Sequence, residues 1–391
     1  MAETTKISHL EGLRGIAAII VILSHFVVGF YPALYNGHTS ETHTTIQAET
    51  YIYDTPLNIF YAGNFAVCIF FVISGFVLSH KFFKEKIKRS NDQTITEMAI
   101  TRYFRLLPLI LFSIVTAYII LKSSLFFNQD AGTITKSTWW LSARYNFSAN
   151  FTEMLRQAFF DVFFLNKTSY NGLLWTITYE FYGSFTIFGI LYLLGNNKIR
   201  YFIYGILIIF LADSYYGAFI YGLLLSDIYN NHFYIIDKLK TTALIIFTIG
   251  LIIGAYPPIK PSITSIYNYL EVTDLNSMVF YHNLGALLIT ISIFSSTRLQ
   301  AFFSKKPFTY LGKISFATYV IHLIIICSLS SYIFLQLNKI LNYHVTFLIT
   351  FSTSIIAIIT SAHFMQKYID QPGVKMSKSA YSKLEHLLSK T

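Results

Sequence analysis

The sequence predicts an all-α polytopic membrane protein of about ten transmembrane helices, with both termini in the cytoplasm. Three observations lead there. Hydrophobic residues make up 54% of the 391 and charged residues only 12%, about half the charged share of a globular domain. The apolar residues gather in runs, several of them long enough to cross a bilayer, which takes ~20 helical residues. The basic residues favour alternate connecting segments, which orients the runs. The 8 prolines are too few for a low-complexity or collagen-like chain.

The first run, 12–32, follows an N-terminus without a cleavable-signal layout and is expected to stay as a helix. The second, 59–79, and the third, 106–122, flank a basic stretch from Lys81 to Arg105. The fourth, 172–195, follows a long loop. Runs five and six, 200–213 and 214–229, are short and split only by Ala212-Asp213-Ser214, which predicts a tight helical hairpin. Runs 241–257, 280–297, 314–336 and 345–366 complete the set. An even number places both termini on one side. Of the 29 basic residues, 22 fall on that side and 7 on the other, which makes it the cytoplasm. The net charge of +10 then reflects this bias and anionic headgroups rather than nucleic acid.

No linker or internal repeat divides the chain, so residues 1–372 are expected to form one transmembrane unit and 373–391 a short basic cytoplasmic tail. Cys68 and Cys327 both lie in apolar runs, where no disulfide framework is expected. The segments 33–58 and 123–171 are long outer loops, and long ordered loops commonly carry function.

Ionisable groups inside spans are costly and mark functional candidates. Arg14 and His25 are eleven residues apart in EGLRGIAAIIVILSHF, which on a helix is about three turns plus 20°, one face, ~16 Å apart. Arg102 and Arg105 share a face at the inner start of the third run; taken alone, they are better explained by ordinary positive-inside anchoring. Glu180 in LLWTITYEFY is expected at a depth similar to His25, where a carboxylate and an imidazole can pair. His322 sits near mid-depth in the ninth run, either as a packing residue or as an auxiliary catalytic group. Ser74-Gly75 closes the second run, where Gly suits close ligand approach or plain helix contact. Walker-type loops, CxxC pairs and HExxH are absent, so no metal site is expected.

Taken together, EGLRGIAAIIVILSHF, FFVISGFVLS, RYFRLLPL, LLWTITYEFY, FIYGLLLS, GKISFATYVIHL and KYIDQP resemble, in order and spacing, the acyltransferase 3 family of integral-membrane O-acyltransferases. The resemblance covers 8–372. It departs at Thr101-Arg102, where the family often has two basic residues, and it looks like the stand-alone form without an appended esterase-like domain. It implies transfer of an acyl group, most often acetyl, from cytoplasmic acyl-CoA to a hydroxyl of an extracytoplasmic carbohydrate or cell-envelope glycan, at a bacterial plasma membrane. Arg14 and His25 match the signature pair, and Arg102 with Arg105 the inner arginine motif. Glu180, Ser74 and Gly75 match less specifically.

The chemistry of the residues fits this reading. The phosphates of CoA call for Arg14, Arg102 and Arg105 at the cytoplasmic mouth. His25, desolvated at mid-bilayer, stays neutral as a general base must, and either takes the proton of the acceptor hydroxyl or carries the acyl group itself. Glu180 would orient the imidazole. Trp139, Trp140 and Arg144 in the outer loop offer apolar faces and donors to a sugar. No cofactor is expected beyond acetyl-CoA as donor substrate, and the number of copies in an assembly stays open. A proton-coupled secondary transporter is the rival reading, and the inverted repeat common in transporters is not evident.

Overall fold

The computed structural model describes residues 7–85, 91–271 and 275–388, and within them the chain is helical with no strand. Basic residues Lys6, Lys86, Lys88, Arg89 and Lys390 of the charge argument lie outside the described residues. Eleven principal helices matter for the site: α1 (Ser8–Phe30), α2 (Gly63–Glu85), α3 (Asn91–Lys122), α4 (Trp175–Leu194), α5 (Arg200–Leu211), α6 (Tyr215–Asn231), α7 (Ala243–Gly254), α8 (Ser277–Ser295), α9 (Lys306–Ile325), α10 (Tyr343–Met365) and α11 (Gln371–Leu388). Their starts carry the expected chemistry. Ser214, Asn276 and Asn342 accept from the N–H two or three residues on, and Pro307 occupies the first turn of α9.

Each of the ten apolar runs is a helix. Among the described residues, seven helical stretches are long and apolar enough to cross a membrane: Ser8–Phe30, Gly63–Lys84, Gln93–Lys122, Gly172–Leu194, Ser277–Ser295, Lys306–Leu337 and Tyr343–Ser379. The other three are shorter: α5 and α6 match the short runs five and six, and α7 covers only part of the run 241–257. α5 and α7 have 12 residues each and α6 has 17, against the ~20 of a full crossing. α6 is buried along its length from Gly217 to Asp227, wedged against α2. Towards the C-terminus, 371–388 form α11, which runs on from α10 through one wide turn and packs on α3.

α1 is the axis of the molecule, contributing side chains to both large apolar cores. Two glycines, Gly15 and Gly312, let it cross α9 very closely, and Gly12 leaves room for the short helix Thr297–Phe303 that precedes α9. A Cβ at Gly12 would meet the Phe303 carbonyl, one at Gly15 the Phe308 carbonyl, and one at Gly312 the Glu11 carbonyl. Small residues at such crossings let helix backbones approach where lipid gives no hydrophobic drive. The same device joins α2 to α6, where a Cβ at Gly75 would strike the Phe219 carbonyl and one at Gly222 the Val72 carbonyl. Of the two readings of Gly75, helix contact is the one this packing bears out: a neighbouring helix fills the space of the missing side chain.

The two long segments 33–58 and 123–171 form an ordered cover over the end of α1 distant from Arg14. Ser137 donates to the Val28 carbonyl at 2.7 Å, Asn171 to the Val320 carbonyl at 2.8 Å, and Lys136 to the Thr42 carbonyl at 2.7 Å. Asn128, fully buried, donates to the carbonyls of Leu141 and Arg144.

Candidate active site

At the covered end of α1, His25 meets His322 of α9. Nδ1 of His25 lies 2.8 Å from Nε2 of His322, and Nδ1 of His322 lies 3.0 Å from the Thr318 carbonyl. A carbonyl only accepts, so Nδ1 of His322 carries the proton and its Nε2 accepts. His25 then donates from Nδ1, which leaves Nε2 of His25 as the nitrogen with a free lone pair. The direction of the chain is thereby assigned from its last acceptor. The glycine seam explains why the rings meet: without it, α1 and α9 would stand farther apart.

Trp140 stacks on His25, with centroids 5.4 Å apart and planes at 16°. Arg144 sits over the same indole, its guanidinium carbon 5.0 Å from the centroid, in space that a side chain at Gly172 would occupy. Beside His25 lies a cavity of about 90 Å³, room for several water-sized groups. Its walls include Tyr35, Tyr61, Asn64, Trp175, His282 and Tyr319, and no Asp, Glu, Lys or Arg.

The opposite end of α1 is charged. Arg14 pairs with Glu11 at 3.6 Å. Arg102 pairs with Glu180, whose Oε1 also accepts from the Ser74 hydroxyl at 2.8 Å. Arg105, exposed, lies within electrostatic reach of Arg102, Arg14, Asp370 and Glu11. The three arginines expected at one mouth are therefore together.

The expected pairing of Glu180 with His25 is overturned. The reason is where α4 begins. Asn171, just before it, bonds to Val320, two residues from His322, so α4 starts level with the imidazoles. Nine residues later Glu180 is ~13 Å deeper, level with the arginines. His322, expected only as an auxiliary, takes the place intended for the carboxylate.

Of the three outer-loop candidates, Trp140 and Arg144 join the histidines. Trp139 does not: it is 44% exposed, beside Tyr35 and within 3.4 Å of Glu41. Sequence reasoning missed Thr318, Tyr61 and His282. His282 had a signal, an imidazole inside an apolar run. Tyr61 had none, being one of 29 tyrosines. Another buried charge was also missed. Asp227, 0% exposed, holds Arg200 through two bonds of 2.5 and 3.2 Å and accepts from Tyr201, Tyr204 and Asn231. With its oxygens filled, this cluster is a joint between α5 and α6.

The family model described as "acyltransferase domain" matches residues 7–362. The chain is also similar to acyltransferase clz18 of Cochliobolus lunatus, at 22% identity over 96% of this chain and 95% of that protein. No solved structure matches.

Proposed function

The chain belongs to the acyltransferase-domain family and is a membrane acyltransferase; from that premise we propose that it moves an acetyl group from cytoplasmic acetyl-CoA to a hydroxyl of an extracytoplasmic carbohydrate or envelope glycan. The observation that carries this reading is the His25–His322 bond, directed by the Thr318 carbonyl. It supports His25 Nε2 as general base. The acceptor oxygen attacks the thioester carbon, its proton passes to Nε2, and the carbonyl electron pair moves onto oxygen. Collapse of this tetrahedral species expels the CoA sulfur, which takes the proton back from His25. His322 orients the ring and shares the transient charge, the part a carboxylate plays behind a histidine elsewhere.

The donor enters at the charged mouth. Arg14, Arg102 and Arg105 suit the phosphates of CoA, and the bias of basic residues supports a cytoplasmic mouth. The bacterial plasma membrane is the proposed location, since there cytoplasmic acyl-CoA and an envelope glycan lie on opposite faces. The orientation is tested with a reporter active only outside, fused after residue 45, 265 or 310: activity at the first two and silence at the third is expected, and the reverse pattern rejects the donor side.

Catalysis is tested with purified protein in lipid vesicles. Free CoA should appear from acetyl-CoA with acceptor present, in step with O-acetylated product. Transport of an acceptor without release of CoA would sink the reading in favour of a secondary transporter.

A further inference from the structure

The cavity beside His25 is walled by two side chains with polar atoms that the fold leaves unpaired. His282 in α8 is 1% exposed. Its Nε2 lies 2.9 Å from the Tyr256 carbonyl, which only accepts. The proton is therefore on Nε2, and Nδ1 keeps a lone pair with no hydrogen-bond partner. Tyr61 is 9% exposed, and its hydroxyl is likewise buried without a partner. Both side chains line the cavity that His25 lines. Buried polar atoms in native folds are nearly always paired, so two orphans around one cavity mark the place of a bound molecule.

The chemistry of the orphans says what kind. An imidazole nitrogen that only accepts, together with a phenol that donates and accepts, is satisfied by a hydroxyl group: its O–H donates to Nδ1 and its oxygen accepts from the phenol. The hydroxyl attacking at His25 is a different one, so the ligand carries at least two. The remaining walls exclude other classes. Trp140, Trp175 and Tyr35 offer flat apolar faces, Asn64 an amide, and nothing charged is present. A carboxylate or phosphate entering here would be desolvated with no counter-charge in the walls, since Arg144 stands over the Trp140 ring and not in the lining.

We propose that this cavity is the acceptor subsite for an uncharged polyhydroxylated molecule, in which Tyr61 and His282 read a hydroxyl neighbouring the one acylated at His25. The assignment rests on the acyl-transfer reading. It makes Tyr61 and His282 specificity-determining residues: an alcohol of similar shape with one hydroxyl leaves both atoms unpaired, and sites built around a substrate hydroxyl reject analogues that lack it.

The test uses the full chain in lipid vesicles with saturating acetyl-CoA and measures CoA release with three acceptors. These are methyl glucoside, cyclohexylmethanol as a six-membered ring with one hydroxyl, and methyl glucuronide as a carboxylate-bearing sugar. The glucoside should exceed either of the others in kcat/KM by roughly tenfold or more, the equivalent of one lost hydrogen bond to a buried group. Tyr61→Phe should raise the KM for the glucoside by about tenfold. Its thermal stability should be unchanged or higher, because the oxygen removed has no partner in the fold. A structural role would instead lower stability and leave KM alone. His282→Phe repeats the KM measurement at the second unpaired atom. Equal kcat/KM for the glucoside and cyclohexylmethanol, or an unmoved glucoside KM in well-folded Tyr61→Phe protein, overturns the subsite and leaves acyl transfer standing. No CoA release with any acceptor overturns the acyl-transfer reading, and the subsite with it.

Discussion

The two ends of α1 are built from opposite materials. At one end Arg14, Arg102 and Arg105 gather with Glu11 and Glu180; at the other, His25 lies among aromatic rings and amides in a cavity with no charged wall. Charge is retained in a membrane protein where it has counter-charges or water, and the arginine mouth has both. At the His25 end the cavity walls hold their polar groups by neutral hydrogen bonds, and the Arg144 guanidinium lies over the Trp140 ring rather than in the wall. A molecule with several negative charges is welcome at one end and excluded at the other. An enzyme that joins two dissimilar substrates without letting them compete gains from that division.

The sharpest way to break this contrast is at the uncharged end. His25→Ala should reduce turnover by ~10²–10⁴, the share of general acid–base help, with the protein still inserted at normal levels. Turnover that persists at saturating acetyl-CoA rejects the assignment. His322→Phe should cost about 10², the lower part of that range, because it removes orientation and not the base. The double variant His25→Ala with His322→Ala should be no worse than His25→Ala alone, since two groups acting as one unit are not additive. Additive losses would mean that the histidines act separately.

At the charged end the effects are smaller and divide by residue. Glu180→Gln or Arg102→Met should each destabilise the protein by about 3 kcal/mol, because either leaves a half-buried charge without its partner. The double variant Arg102→Met with Glu180→Met should recover most of that loss in a thermal melt. Arg105→Gln, at an exposed position, should leave the melt unchanged and raise the apparent KM for acetyl-CoA about tenfold. If Arg105→Gln shifts only stability, the mouth is structural.

The smallest effect expected is in the outer cover. Burial works against the charge of Glu49, but the Thr44 hydroxyl and the N–H groups of His43 and Thr44 outweigh it and hold the carboxyl below its usual value of 4.5. A depressed carboxyl contributes stability above its unfolded value and loses it as pH falls through the folded one. Hydrogen exchange in 42–52 should therefore stay slow at neutral pH and quicken only below about pH 4. Quickening near pH 6 would point to His43 instead, which burial pushes down.

The helices were readable because each is an uninterrupted apolar run, and the arginine mouth because charges stand out against such runs. The partner of His25 was not readable. It depends on the depth at which α4 begins, and that is set by one bond from Asn171 to Val320, an amide among many. Gly75 left two readings open for a related reason: a missing side chain looks the same whether ligand or helix fills the space, and here Phe219 fills it. The cavity was hidden because its walls are single residues from distant parts of the chain, Tyr35, Tyr61, Trp140, Trp175, His282 and Tyr319 among them, that share no sequence pattern.

The chain from Thr318 through His322 to His25 also bears on energy supply. Because it ends on a carbonyl, which cannot take up a proton, only the Nε2 position of His25 is open. In the proposed mechanism, one proton lifted from an alcohol returns to the departing sulfur. The loop closes within a single turnover and moves no net charge across the bilayer. Neither a voltage nor a proton gradient does work on such a cycle, so vesicles made leaky with an ionophore should acylate as fast as sealed ones.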